Sequence, residues 1–306
     1  NENKIEESFL SILKRNGVNT IRLRIWVNPG NNHSGYDEVK IFAGKLRISG
    51  FKIWLSVHYS DTWADPGKQT PPALWSGISY SALKDSVQKY TKFVMENLKP
   101  DIIQIGNEIN PGFLLPYGNR FTQHSQYLEL LNTASSEIRK YSSATKIMIH
   151  YAGISGSKDF FIQLRNLDYD MIGISYYPLW HGKDLNEVGI ILNDLGATFQ
   201  KEVLIAETAY PFTLGWNDWT HNIVGLEEQL ILPEYPATPK GQQDFIAAIK
   251  KLITTEVENG TGFCYWGAEL IAWKGERGEN ASPWENQALF DFQNLALPVL
   301  SEFKIK

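Results

Sequence analysis

"DIIQIGNE" (residues 101–108) is an isoleucine-rich run, too short for a helix and rich in β-branched residues, so it predicts a buried strand. It ends in Asn107 and Glu108, polar side chains where an interior would continue. Before it, Leu83, Val87, Tyr90, Val94 and Leu98 recur every three or four residues and stop at Pro100, which predicts a helix. A helix feeding a buried strand is half of a βα repeat. Working outward, six more strands follow the same pattern: "NTIRLRIW" (19–26), "FKIWLSVHY" (51–59), "KIMIHYA" (146–152), "MIGISYY" (171–177), "EVLIAET" (202–208) and "GFCYWGA" (262–268). Helices are expected between them. Ile5, Phe9, Ile12 and Leu13 form a stripe over residues 4–16 that ends at Gly17, and Thr238–Pro239 reads as the cap and first position of a helix carrying Phe245, Ile249 and Leu252.

Such a series is either a doubly wound open sheet or a closed barrel. No GxGxxG or GxxxxGK[ST] follows any strand, which removes the phosphate fingerprint of many open sheets. Seven strands are one short of eight and the chain opens directly in a helix. The expectation is therefore a (β/α)8 TIM barrel of the α/β class whose first strand precedes Asn1. No low-complexity linker or charge block divides the sequence, so residues 1–306 are read as a single catalytic barrel domain.

Composition narrows the partners. Lys and Arg number 29 against 34 Asp and Glu, a net charge of −5, too acidic for a phosphate-reading surface, so nucleic acid is not expected. No apolar run reaches the 18 or so residues of a membrane span. The one cysteine, Cys264, can form neither an intrachain disulfide nor a thiolate cluster. Aromatics are abundant, with 10 Trp, 14 Tyr and 15 Phe, many beside Asn, Asp, Gly and Pro. Tryptophan in polar loops needs a reason.

In a barrel, polar residues at the carboxyl ends of strands face the active site. Glu108 and Glu207 stand out because each ends an apolar strand, where an ionised side chain is expensive unless used or paired. Two carboxyl groups converging in a cleft suit glycoside hydrolysis, one to protonate the leaving oxygen and one to attack or to activate water. The plain alternative is that each pairs with Arg22, Arg24 or a lysine. Arg22, Arg24 and Trp26 alternate on one strand and share a face, and an arginine near a carboxylate keeps it ionised. The loop "HYSDTWADPGKQTPPALW" (58–75) is polar and long, so it is expected to carry function: Trp63 offers a flat face for a sugar ring, with His58, Asp61 and Asp65 as hydroxyl partners. Trp75 serves equally well as the loop's own core. His58, His150 and His181 lie on different strand ends without a spaced second ligand, so no catalytic metal is expected. There is no GxSxG elbow for serine chemistry. "NDWTHN" (217–222) is oxygen-rich in the manner of a calcium loop but lacks acidic density, and a solvated loop is the reading its composition favours.

"GVNTIRLRIWVNP", "HYSDTWADPGKQTPPALW", "IQIGNEINPGFLLP", "IGISYYPLWHG", "IAETAYPFT" and "WENQALFDF" occur in this order from about residue 16 to residue 300. The series closely resembles glycoside hydrolase family 53, the endo-β-1,4-galactanases. The resemblance implies a retaining (β/α)8-barrel enzyme acting on the β-1,4-galactan side chains of pectin, with Glu108 as general acid/base and Glu207 as nucleophile. It further implies that Asn107 holds the 2-hydroxyl of the sugar next to the scissile bond, that Tyr177 hydrogen-bonds the nucleophile and that Arg24 supports it electrostatically. His58, Asp61, Trp63, Asp65, Trp180, His181 and Trp266 would shape sugar subsites. No cofactor is implied for catalysis, and "GWNDWTHNIVG" matches the calcium loop of bacterial relatives only loosely. A monomer is expected, and a polymeric substrate implies that it acts outside the cell. The alternatives are another β-glycanase of the same clan, such as a β-mannanase, and a galactan-binding pseudoenzyme, since the galactan assignment rests on the resemblance alone.

Overall fold

The computed structural model describes residues 1, 3–31 and 33–304. The elements run α1 (Phe9–Arg15), β1 (Thr20–Ile25), α2 (Tyr36–Ile48), β2 (Lys52–Val57), α3 (Tyr80–Leu98), β3 (Ile102–Ile105), α4 (His124–Tyr141), β4 (Lys146–Ala152), α5 (Ser157–Gln163), β5 (Met171–Ser175), α6 (Pro178–His181), α7 (Leu185–Phe199), β6 (Glu202–Thr208), α8 (Pro239–Lys251) and β7 (Gly260–Tyr265). Each of the seven expected strands is present. Their order in the sheet is the order in the chain, and every neighbouring pair is parallel. A doubly wound sheet would reverse direction partway; one that never reverses curls into a barrel wall.

Strand alternation sorts the side chains into two layers. Ile53, Leu55, Ile103, Ile105, Ile147, Ile149, Ile172, Ile174, Val203 and Ile205 face outward and pack under the helices. Trp54, Met148, Met171 and Ala206 face inward and meet one another in the barrel interior, with Ile102, Leu204 and Cys264 at its margin. The outer layer is aliphatic because both of its neighbours are apolar, and each fully buried side chain there contributes about 1.5–3 kcal/mol.

Local signals account for most element ends. Thr238 caps α8 by accepting from the Gly241 N–H, and Pro239 sits in the first turn. Ser79 caps α3 in the same way, and α3 ends at Lys99 in the left-handed region just before Pro100. The first helix is shorter than its apolar stripe suggests. It begins at Phe9, and Ile5 is exposed outside it, its N–H donating to the side chain of Asn1.

β1 and β7 are the two edges of the sheet. Between them lies a cleft of about 620 Å³ lined by Ile21, Leu23, Phe263 and Tyr265, which opens at its upper end onto Arg24, His58, Trp63 and Trp266. A closed eight-stranded ring has no such edges.

Candidate active site

Three irregularities at the strand ends build the site. After β3 the chain leaves the sheet through Gly106, whose φ is +73°, and Glu108, whose φ is +46°. In a regular strand Asn107 and Glu108 would face opposite ways; here the distortion lets both serve one cleft. Only glycine fits at 106, because a Cβ there would lie 2.5 Å from Ile109 Cγ2. On β6 a register shift pairs Ser175 with Glu207 rather than with Ala206. Ala206 stays in the interior and Glu207 also turns toward the cleft, the re-aiming that bulges beside functional sites provide. The third irregularity is the turn at Tyr177, where β5 gives way to α6 and the ring meets Trp180, His181 and Trp284.

Glu108 and Glu207 face one another. One carboxylate oxygen of each lies within 4.8 Å of the other, and His150 offers a nitrogen within the same distance. Their surroundings differ. Glu207 Oε1 accepts from Arg22 Nη1 at 2.6 Å, and Oε2 accepts from the Tyr177 hydroxyl at 3.1 Å. Arg22 Nη2 donates to Asn107 Oδ1 at 2.7 Å, and its guanidinium lies over Trp54, 4.9 Å from the ring centroid. Glu108 has the Ser175 hydroxyl on Oε1 at 2.5 Å and no cation in contact among the described residues. Burial, with the Glu207 charge next, pushes Glu108 well above the ordinary carboxyl range. Burial and the same carboxylate hold Tyr177 protonated, so it remains a donor. His58 and His150 are fully buried beside Arg22 and stay neutral.

The remaining candidates divide by place. Asn107 is buried, with Nδ2 donating to Ala64 O and Oδ1 gathering Arg22. His58 is a scaffold at the base of the cleft: Nδ1 accepts from the Ala64 N–H, and its ring abuts Trp26 and Trp63. Trp63 is 38% exposed and meets Trp266 edge to face at 5.5 Å. Trp180 is more open at 54%, while His181 accepts from the Tyr177 N–H through Nδ1 and braces that turn. Asp61 is occupied in bracing its loop, accepting from the Asn28 and Ala73 N–H groups. Asp65 closes a turn through the Gly67 N–H and lies close enough to Glu108 to act on it by charge. Trp75 is buried against Tyr90 as the loop's own core.

One expectation is corrected. The cation on Glu207 is Arg22, not Arg24. Arg24 lies one pleat higher, donating to Ser34 Oγ at 2.8 Å and stacking on Trp63 at 4.2 Å. Bulges and strand ends shift which of two alternating arginines reaches a carboxylate, and spacing alone does not reveal that. Trp284 was also missed; it sits against Tyr177, Trp180 and Trp266 and joins two sides of the aromatic wall, and its only sequence signal is its place in "WENQALFDF". The 217–222 loop brings Asp218 and Glu285 together: Glu285 Oε1 accepts the Asn217 and Asp218 N–H groups, and each carboxyl has one buried oxygen without a partner among the described residues.

A parallel barrel wall that ends two strands in facing, differently partnered carboxyl groups under a rim of tryptophans has the make-up of a glycoside hydrolase. The model of glycosyl hydrolase family 53 matches residues 1–303, and the chain belongs to that family. An arabinogalactan endo-β-1,4-galactanase of Cellvibrio japonicus is 33% identical over 94% of this chain and 81% of its own length. Among solved structures, the family 53 catalytic domain of Ignisphaera aggregans is 38% identical, with a TM-score of 0.91 over 99% of this chain and 89% of its own. A fungal β-1,4-galactanase is 28% identical with a TM-score of 0.83, covering 100% and 93%. No helix among the described residues is long and apolar enough to cross a membrane.

Proposed function

We propose that this glycoside hydrolase is a retaining endo-β-1,4-galactanase acting on the galactan side chains of pectin. The observation that carries the mechanism is the close approach of two carboxyl groups, one oxygen of each within 4.8 Å of the other, with one group on an arginine and the other without a cation among the described residues. That spacing suits direct attack, whereas inversion needs about 6.5–9.5 Å to admit a water between the groups. Glu108 protonates the glycosidic oxygen while Glu207 attacks the anomeric carbon. Glu108 then takes a proton from the water that releases the sugar from Glu207. Arg22 and Tyr177 orient Glu207 through a hydrogen bond to each of its oxygens, and Arg22 also orients Asn107 for the sugar 2-hydroxyl. Trp63, Trp180, Trp266 and Trp284 offer apolar faces to the rings, with Arg24, Asp65, His58, Asp61 and His181 shaping or bracing the wall around them.

The substrate is supported by the galactanase names of the bacterial and fungal relatives. A polymer cannot enter a cell, so the enzyme works outside it. The reaction draws on side chains alone; calcium in the 217–222 loop would be held by Asp218 and Glu285, whose buried free oxygens fit a shared proton equally well. The deciding experiment is reducing-end release with product sizing on linear β-1,4-galactan beside mannan, xylan and cellulose, for wild type and Glu207→Ala. Galactan-only cleavage lost in the variant is expected, with NMR showing retained anomeric configuration in the first product. Cleavage of mannan or xylan alone would discard the substrate, and no cleavage by folded protein would point to a binding role.

A further inference from the structure

Below Glu108, three strand ends carry a hydrogen-bond chain that the hydrolysis scheme leaves unassigned. Gln104 at the end of β3, His150 on β4 and Ser175 on β5 are fully buried side by side. Gln104 Nε2 lies 3.1 Å from His150 Nδ1, His150 Nε2 lies 2.9 Å from Ser175 Oγ, and Ser175 Oγ donates to Glu108 Oε1.

The ends fix the direction. Gln104 presents its NH2, because the same nitrogen faces the Gly106 carbonyl at 2.8 Å and Asn107 Oδ1 at 3.0 Å, both acceptors; one hydrogen goes to the Gly106 carbonyl and the other is shared between Asn107 Oδ1 and His150 Nδ1. At the other end the hydroxyl has one proton, which goes to Glu108 Oε1, an acceptor both in the carboxylate and in the acid protonated on Oε2. Ser175 Oγ can then only accept, so His150 Nε2 must carry the hydrogen. A neutral imidazole has one N–H, which leaves Nδ1 to accept from Gln104. The opposite tautomer would donate from Nδ1 to Asn107 Oδ1 at 3.1 Å, an oxygen that already accepts from Arg22 and Gln104.

We propose that Gln104, His150 and Ser175 form a one-way donor chain, with His150 fixed as the Nε2–H tautomer, and that it makes Ser175 and His150 positioning residues for Glu108. Ser175 fills Oε1 with a donated proton, so the proton that Glu108 carries sits on Oε2, which no hydrogen bond engages among the described residues. In the first step that proton passes to the glycosidic oxygen as the bond to the leaving sugar breaks and the bond to Glu207 forms. In the second, Oε2 takes a proton from water as the water oxygen bonds the anomeric carbon and the ester to Glu207 breaks. No proton moves along the chain in either step, and Ser175 steadies the carboxylate between them.

The charged and titratable neighbours are few. Glu207 on β6 and Asp65 in the loop after β2 disfavour ionisation of Glu108, while Arg22 on β1 and Ser175 favour it; Arg22 and His58 face His150 and keep it neutral.

The inference rests on the acid/base role of Glu108 but is tested apart from it. Nitrogen-15 NMR of wild-type protein labelled at histidine reports the His150 tautomer without any substrate. A neutral Nε2–H imidazole that persists while Glu108 titrates is expected. An Nδ1–H tautomer, an imidazolium, or a switch between tautomers overturns the chain even if galactan is cleaved. In Ser175→Ala the basic limb of the kcat/KM profile on galactan moves to higher pH by about one unit, because a donor to the carboxylate is lost. A uniform rate loss with the limb in place means that Ser175 is merely structural, which also overturns the proposal.

Discussion

Arg22 reaches Glu207 with one guanidinium nitrogen and Asn107 with another while its plane rests on Trp54, so three strands meet on one side chain. Its ion pair with Glu207 is almost wholly buried. Breaking such a pair from one side strands a charge and costs about 3–5 kcal/mol. Arg22→Met is therefore expected to lower stability by that order in chemical denaturation and to cut kcat by at least about 100-fold. Arg22→Lys keeps the charge but not the fork, and recovers stability more than turnover. Arg24 touches neither carboxylate. Arg24→Met is expected to raise KM through its contact with Trp63 and to leave kcat within about threefold. Glu108 supplies the pH dependence. Its pKa is raised in the folded state, so its contribution to stability is full below the ordinary carboxyl pKa and is lost as pH rises through the raised value. Activity should fall over the same rise, as the acid loses its proton. Denaturation measured against pH is expected to lose this component in Glu108→Gln.

Elements put these residues where they work, and their irregular ends matter most. The strands were legible because each is a short run rich in β-branched residues bracketed by turn formers or charges, and α3 and α8 because period, caps and proline agreed. What the pattern could not contain is where a strand stops being regular. Gly106 is the clearest case: with φ at +73° and Ile109 against its missing Cβ, it turns the chain so that Asn107 and Glu108 both face the cleft. Gly106→Ala is expected to cost about 1–3 kcal/mol and to reduce kcat by more than this stability loss explains, measured by thermal unfolding alongside turnover. The bulge on β6 is equally silent in "EVLIAET", although it decides that Glu207 faces Arg22. The loop at 58–75 stood out in the sequence by its length and polarity, but it spends Asp61 on the backbone of Asn28 and Ala73 and Trp75 on its own packing.

At the scale of the whole molecule, a sheet that never reverses direction places every functional strand end at one mouth. The protein is acidic overall at −5, yet the substrate proposed for it is neutral. Its kcat/KM on galactan should therefore change less than about twofold between roughly 50 and 500 mM salt, whereas a charged polymer would respond strongly. The sequence by itself determined the repeated βα plan, the place of both glutamates at strand ends and the family, because those depend on local periodicity and on motifs in a fixed order. Only the tertiary structure decided that Arg22 rather than Arg24 holds Glu207, that Trp284 joins the aromatic wall, and that Gln104, His150 and Ser175 line up beneath Glu108. The physical reason is register: contacts between strands distant in sequence are set by bulges and by the stagger of the sheet, and a shift of one residue exchanges the side chain that faces the cleft for one that faces the helices.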